Sequence, residues 1–316
     1  MKPTPSLRVA GILGALLAPS LHAATAEVTK SGSNYIVKVD GTQTLSTTDY
    51  AAALQNAAGT GNRTMNVRVH GNWNSQVRMR TTSSFNYLTS TYSYASTTVP
   101  ALYAYKSGGI QINGLILFGY PTYGIRLSSC GSPRITNTTV DCRNTTQPAI
   151  AIRVDSEGST RTTGLYARTV KIMNMVSGDK QGFETYSIDG YDLSGMEGTS
   201  IGGCGVLIND GRSGTIGTAK SNDCGKGTTY AGLRFANNCD GATVSDCNSS
   251  NSARGLFILN STNVTVNKAT ISGCRTDSIW IQNGSNDRVS SGSVTSSPAP
   301  VITSSPGSSI NVSYTP

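Results

Sequence analysis

"GLRFANN" (232–238), "GLFILNS" (255–261) and "SIWIQNG" (278–284) decide the fold. Each begins 23 residues after the one before. Leu233, Leu256 and Ile279 align, as do Phe235, Ile258 and Ile281, and Asn237, Asn260 and Asn283 close the segments. The alternation within each has a period of two, so successive side chains face opposite sides of a strand. A repeat in the low twenties, with short β-rich runs and Asn/Gly/Ser corners, predicts a parallel solenoid with one coil per repeat. The asparagines are expected to stack as a ladder at one corner.

The pattern runs upstream through "GVLIND" (205–210), "GFETYS" (182–187), "AIAIRV" (149–154), "GIRLSS" (124–129) and "ALYAYK" (101–106). One inward column then reads Leu102, Ile125, Ile150, Phe183, Val206, Leu233, Leu256 and Ile279. The next reads Ala104, Leu127, Ile152, Thr185, Ile208, Phe235, Ile258 and Ile281. Four of the seven steps are 23 residues and the others 25, 33 and 27, so insertions fall between coils. A leucine-rich repeat has the same period, but it needs L-x-x-L-x-L-x-x-N and a helix in each unit, and neither is present. Helical solenoids fail because the β-branched, Gly-broken runs lack a 3.6 period.

A solenoid must close its ends. "STTDYAAALQNAAG" (46–59) predicts a short N-terminal capping helix, with Tyr50, Ala53 and Leu54 on one face and Gly59 as the stop. The expected layout is a signal peptide over 1–26, a strand and cap over 27–62, coils over 63–290 and a Ser/Pro-rich tail or cap over 291–316. Lys2 and Arg8 followed by "VAGILGALLAPSLHAATA" (9–26) give the export reading, with small residues at Ala23, Ala24 and Ala26. No segment is long and apolar enough for a membrane span.

The chain of 316 residues carries a formal charge of +8, and removal of the first 26 leaves +6. Modest basicity in an exported protein suits an acidic glycan, and sparse aromatic–basic interleaving argues against nucleic acid. His22 falls in the leader, so His70 is the one histidine left, which excludes multi-histidine metal sites. Seven cysteines without a C-x-x-C pair predict buried thiols with one or two disulfides.

In "GFETYS", Phe183 and Thr185 face inward, which turns Glu184 and Tyr186 outward. One outward column reads Tyr103, Arg126, Ala151, Glu184, Leu207, Arg234, Phe257 and Trp280. The other reads Tyr105, Ser128, Arg153, Tyr186, Asn209, Ala236, Leu259 and Gln282. Coils about 4.8 Å apart match the length of a sugar unit, so a glycan can lie along these columns. The inserted "DSEGSTRTTG" (155–164) is expected to wall the groove.

These stacked segments, the Asn corners and the helical cap resemble the pectin-lyase-like right-handed parallel β-helix superfamily over about residues 60 to 290. The resemblance implies an all-β, single-domain right-handed parallel β-helix, and polysaccharide lyases or glycoside hydrolases acting on uronate glycans. It also implies calcium held by several Asp or Glu on one sheet in many pectate lyases. No such cluster occurs here, nor do the paired Asp motifs of the polygalacturonase branch.

The leading expectation is β-elimination on an acidic polysaccharide by a secreted monomer that acts on neither nucleic acid nor membrane. Elimination needs a cation on the uronate carboxylate, a base for the adjacent proton and an acid for the leaving oxygen. The catalytic candidates are Glu184, Tyr186, Arg234 and Arg153. The substrate-binding candidates are Arg126, Asn209, Tyr103, Tyr105, Phe257, Trp280, Lys180 and Arg254. No cofactor is required, and calcium (Ca2+) on Glu184 and Asn209 is the candidate metal. Hydrolysis ranks second, because it needs a second carboxyl beside Glu184, from Asp179, Asp189, Asp192 or Asp210. A non-catalytic, glycan-binding solenoid ranks third.

Overall fold

Coil upon coil of short strands, hydrogen-bonded in parallel to the coil above and below, builds the molecule. A computed structural model describes residues 23–61, 63–79, 82–92, 99–120, 122–143, 149–158, 160–175 and 178–316. Its strands form one 11-stranded and one 17-stranded sheet. We call them sheet I and sheet II. Sheet I runs from Val77–Arg78 through Leu102–Tyr105, Tyr123–Ser128, Ile150–Asp155, Gln181–Asp189, Val206–Arg212, Ala231–Ala236, Arg254–Leu259 and Asp277–Gln282 to Val301–Thr303.

Its inner columns make the core. The first holds Leu102, Ile125, Ile152, Phe183, Val206, Leu233, Leu256 and Ile279, all at most 2% exposed. Each such side chain contributes about 1.5–3 kcal/mol through burial. The register corrects the expected alignment at one coil. Ile152, not Ile150, stacks between Ile125 and Phe183. The two steps are therefore 27 and 31 residues. A slip of two residues keeps every apolar side chain inside, so alternation alone cannot detect it.

The corners explain the small polar residues. Asn237, Asn260 and Asn283 adopt left-handed backbone with φ of 55°, 48° and 54°. Ser129, Ser187 and Asp210 occupy the same corner of other coils, also with positive φ. Asn and Asp tolerate this region better than other side chains. In place of the expected ladder between equivalent asparagines, Asn237 Nδ2 donates to Asn209 Oδ1 at 3.0 Å, and the Asn260 and Asn283 backbone N–H groups donate to Gln282 and Thr303 carbonyls. Asparagine is at these corners for its backbone.

Helix α1 (Tyr50–Ala58) covers the N-terminal end and buries Tyr50, Ala53 and Leu54. The Asp49 side chain accepts from Ala52 N–H at 3.1 Å, and Gly59, at φ 61°, ends the helix. An antiparallel meander, Ala24–Ser31, Asn34–Val39 and Thr42–Thr47, completes the cap. Its first strand starts inside the expected 26-residue leader, and Ala26 is fully buried, between Val39 of the second strand and Met65 of the parallel strand Arg63–Val67. The Ser/Pro-rich segment after 290 adds rungs to both sheets through Gly292–Thr295, Val301–Thr303 and Ser313–Thr315. All seven cysteines are buried free thiols, so the expected disulfides do not form. Among the described residues no helix is long and apolar enough to cross a membrane.

Asp287 is fully buried at a corner of the last full coils. Its Oδ1 accepts from Val264 N–H at 2.9 Å, while Oδ2 has no partner. Burial pushes this carboxyl up to about 6, against 3.8 for an unperturbed Asp. The folded state therefore favours the protonated acid. Its contribution is complete below the unfolded pKa and is lost as pH rises through the folded value. Denaturant unfolding between pH 4 and pH 7 should show a loss on the order of 2–3 kcal/mol from this group, and Asp287→Asn should remove that pH dependence.

Candidate functional site

The outer face of sheet I begins with the corrected register. Tyr103, Arg126, Arg153, Glu184, Leu207, Arg234, Phe257 and Trp280 form one continuous column. Glu184 and Arg234 share a wall two rungs apart, as the sequence predicts. Arg153 moves from its expected column to sit beside Glu184, where Ala151 was expected. Its old place beside Tyr186 belongs to Asp155.

Two arginines on successive rungs repel each other. Asp155 resolves this by accepting from both at one oxygen, Oδ2. Arg126 Nε lies 2.9 Å away and Arg153 Nε 2.8 Å away. Arg153 Nη1 reaches on to Glu184 Oε2 at 3.2 Å, and Arg126 Nη2 to Glu157 at 3.2 Å. Asp155 is 1% exposed and Glu184 6%. The second Asp155 oxygen has no partner. Burial raises the Glu184 pKa, although Arg153 and an Asn209 hydrogen bond oppose it. A buried acid with a raised pKa beside a second carboxylate is a proton-holding arrangement.

The insertion walls one side of this network. Glu157 N–H donates to Ser129 Oγ at 2.9 Å. Arg161 clamps Asp189 at 2.7 Å and Asp210 at 2.6 Å. Those two aspartates are thus held in the wall, and Asp192 lies on sheet II, paired with Arg168 at 2.6 Å. Asp179 holds Gln181 at 2.6 Å and accepts from the Tyr230 hydroxyl at 3.3 Å.

Tyr186 is 40% exposed, with the Arg153 guanidinium 5.3 Å from its ring. Asn209 stacks on Tyr186 in register. Arg234 lies over the Tyr230 ring at 4.2 Å and near Phe257 at 5.1 Å. No carboxylate pairs with Arg234 among the described residues. It also touches Cys204, a buried thiol whose pKa burial pushes to about 11. Tyr103 and Tyr105 stack at 6.3 Å at the N-terminal end of the face, with Tyr105 40% exposed.

Two expected substrate contacts, Phe257 and Arg254, are buried by their neighbours. Phe257 is 5% exposed and lies against Trp280 at 5.0 Å, with Arg234 and Arg254 also over its ring, so it is no stacking platform. Arg254 is 7% exposed and pairs with Asp277 at 2.7 Å, which makes it a packing residue. Lys180 sits in the turn ahead of the Glu184 strand, where its carbonyl accepts from Gly203 N–H. Trp280 remains half-exposed, its Nε1 donating to Thr303 at 3.2 Å. His70 is exposed near the N-terminal cap, outside the sheet I register.

Asp155 is the residue that the sequence reading missed. The signal was present: "IRLSS" (125–129) and "IRVDS" (152–156) match position for position, which stacks Arg153 on Arg126 and Asp155 on Ser128, two residues further along the same strands. A separate groove of about 420 Å³ lies on sheet II, lined by Glu197, Lys220, Asn222, Asn248 and Thr270. It holds none of the groups above.

Arg153→Ala should leave Asp155 and Glu184 as buried like charges without their shared cation. We expect a loss of about 3–5 kcal/mol in denaturant unfolding, part of which Glu184→Gln should restore in the double variant. A loss under about 1 kcal/mol would show that the network is solvated.

Residues 181–313 match the family model described as "Right handed beta helix region". Among solved structures, the chain is similar to the enzymatically active domain of tailspike protein 2 of bacteriophage CBA120, with 10% identity and a TM-score of 0.55. That alignment covers 84% of this chain and 44% of the tailspike domain, so the chain spans less than half its length. It is also similar to the A-module of the Azotobacter vinelandii mannuronan C-5 epimerase AlgE6 (10% identity, TM-score 0.41, 84% of this chain and 93% of that one). A third is the catalytic domain of a GH87 alpha-1,3-glucanase (10% identity, TM-score 0.35, 85% and 66%). No curated protein matches. At this identity the tailspike likeness is one of fold, and with the family model over residues 181–313, the coils, the parallel register and the cap it leads to one conclusion: the chain folds as a right-handed parallel β-helix.

Proposed function

We propose that this is an exported carbohydrate-active enzyme whose sheet I face binds an acidic polysaccharide and cleaves it by β-elimination. One observation carries the reading. Arg234 is a guanidinium without a carboxylate partner among the described residues, on the same outward column as Glu184 and two rungs from the exposed Tyr186 of the neighbouring column. Arg126 and Arg153 are already neutralised by Asp155, Glu157 and Glu184, so the role of neutralising the substrate carboxylate passes to Arg234. Tyr186 takes the proton next to that carboxylate. The released electron pair forms the carbon–carbon double bond, and the glycosidic oxygen leaves carrying that proton, handed on from the Tyr186 hydroxyl, which returns the phenolate oxygen that began the step. Glu184, Arg153 and Asp155 hold the floor beneath Tyr186 rigid. The Tyr103–Tyr105 pair at one end and Trp280 at the other flank the sugar chain.

The donor set does not fit calcium. Arg153 occupies Glu184 Oε2, Asn209 gives Glu184 its amide N–H, and Asn237 occupies the Asn209 oxygen.

A second reading, hydrolysis, has a specific observation in its favour. Glu184, with its raised pKa, now has a second carboxyl close by in Asp155, linked through Arg153. The two chemistries separate in one assay with pectate, alginate, glucuronan and glycosaminoglycans. A lyase raises ultraviolet absorbance from unsaturated uronate, and Arg234→Ala and Tyr186→Phe should each lower that rate by about 100-fold or more. A hydrolase yields reducing ends without the absorbance, is lost in Glu184→Gln and survives Tyr186→Phe. Retention on the glycan with neither product means a binding module.

Export should leave the first strand whole. Intact mass of the exported protein should place its N-terminus at or before Ala24, and a start at Glu27 would remove three paired residues of that strand.

A further inference from the structure

We propose that the N-terminal end of the sheet I face is a second anion-binding subsite, built by Arg78, Lys106 and Tyr105, which grips an acidic glycan six rungs away from Arg234. The inference rests on the glycan-binding part of the proposed function and not on its chemistry. The outward column does not begin at Tyr103. Arg78 stacks on Tyr103 in register, one rung nearer the cap, and it is exposed. Lys106 stands at the corner after Tyr105, with its ammonium 5.0 Å from the centre of the Tyr105 ring. Neither cation pairs with a carboxylate among the described residues. A cavity of about 100 Å³ opens here, lined by Arg78, Met79, Tyr103 and Tyr105. It has room for a carboxylate against the guanidinium, and the exposed Tyr105 ring offers a sugar its face.

The rung that carries Arg78 is held in place. Val77–Arg78 is the end strand of sheet I among the described residues and pairs only with Leu102–Tyr105. Gln55 of helix α1 stands where a further strand would pair. Its Oε1 accepts from Arg78 N–H at 2.9 Å, and its Nε2 donates to the Arg78 carbonyl at 3.2 Å. Gln76 Oε1 accepts from Arg78 Nε at 3.2 Å, which directs the side chain. A guanidinium held this way loses little freedom on binding.

Charge along the column puts the grip at its two ends. Between them, Arg126 and Arg153 are matched by Asp155, Glu157 and Glu184, so those rungs have no spare cation. Arg78 and Arg234 stand six rungs apart, about 29 Å at the spacing of neighbouring strands. With one sugar per rung, the carboxylates on the two arginines belong to the first and seventh sugars. Six is a multiple of both two and three. A chain that repeats its orientation every second or every third sugar therefore turns both carboxylates to the same side. The ligand is an acidic polysaccharide at least seven sugars long, and two contacts on one chain reinforce each other.

The test is calorimetric binding of oligouronates of four and seven sugars, prepared from pectate, alginate and glucuronan. The full exported chain carries Tyr186→Phe, so that elimination does not shorten the ligands. In at least one series the seven-sugar oligomer should bind about tenfold or more tighter than the four-sugar one, and Arg78→Ala should erase that gain. Lys106→Ala, away from the Gln55 contact, should reduce it and serves as the second variant should Arg78→Ala fail to fold. No gain with length, or a gain that survives both substitutions, overturns the subsite. The elimination reading is then still decided separately, by ultraviolet absorbance with the wild type. A gain that Arg78→Ala erases, in a protein that yields no unsaturated product, supports the subsite and removes the elimination reading. Failure of every oligomer to bind overturns both.

Discussion

In-register parallel stacking at about 4.8 Å is the constraint on which the rest of the structure depends. Each coil places its outward side chains directly over those of its neighbours, so a column is a row of groups that must tolerate one another at contact distance. Inside, this yields an unbroken apolar column from Leu102 to Ile279. Outside, it forces charges together, and Arg126 over Arg153 is the clearest case. Those two guanidiniums are compatible because Asp155 lies between them and Glu184 follows on the next rung.

That network divides the face into a rigid part and an accessible part. Asp155 and Glu184 are buried and each accepts from Arg153, so they position Arg153 and the strand that bears Tyr186. Tyr186 and Arg234 keep their polar ends outside that network. Burying a charge set is costly unless each member is paired, so such a network persists where neighbouring groups need a fixed geometry.

The strands and their apolar columns were legible because a period of 23 repeats the same alternation, and the cap because Asp49 and Gly59 bracket an apolar helical face. The outward partnership was less legible. Alternation has a period of two and is blind to a two-residue slip, which hid Asp155 and misplaced Arg153. The exposure of aromatic residues was not legible either: Phe257 has the outward parity of a platform but is covered by two arginines and Trp280. The asparagine corners were found for the wrong reason, since left-handed backbone rather than side-chain stacking sets them. Six of the free cysteines pack in the core as small hydrophobes, and Cys204 lies apart from it with Leu207 and Ala236, beside Arg234.

The most direct test of a glycan site on sheet I is a crystal structure of the Tyr186→Phe protein with a bound oligouronate. The account predicts a sugar chain running along the Arg126-to-Trp280 column, with a uronate carboxylate on the Arg234 guanidinium and the ring above Tyr186's position. Sugar seated instead in the Glu197–Lys220 groove of sheet II, or a carboxylate that leaves Arg234 untouched, would contradict it.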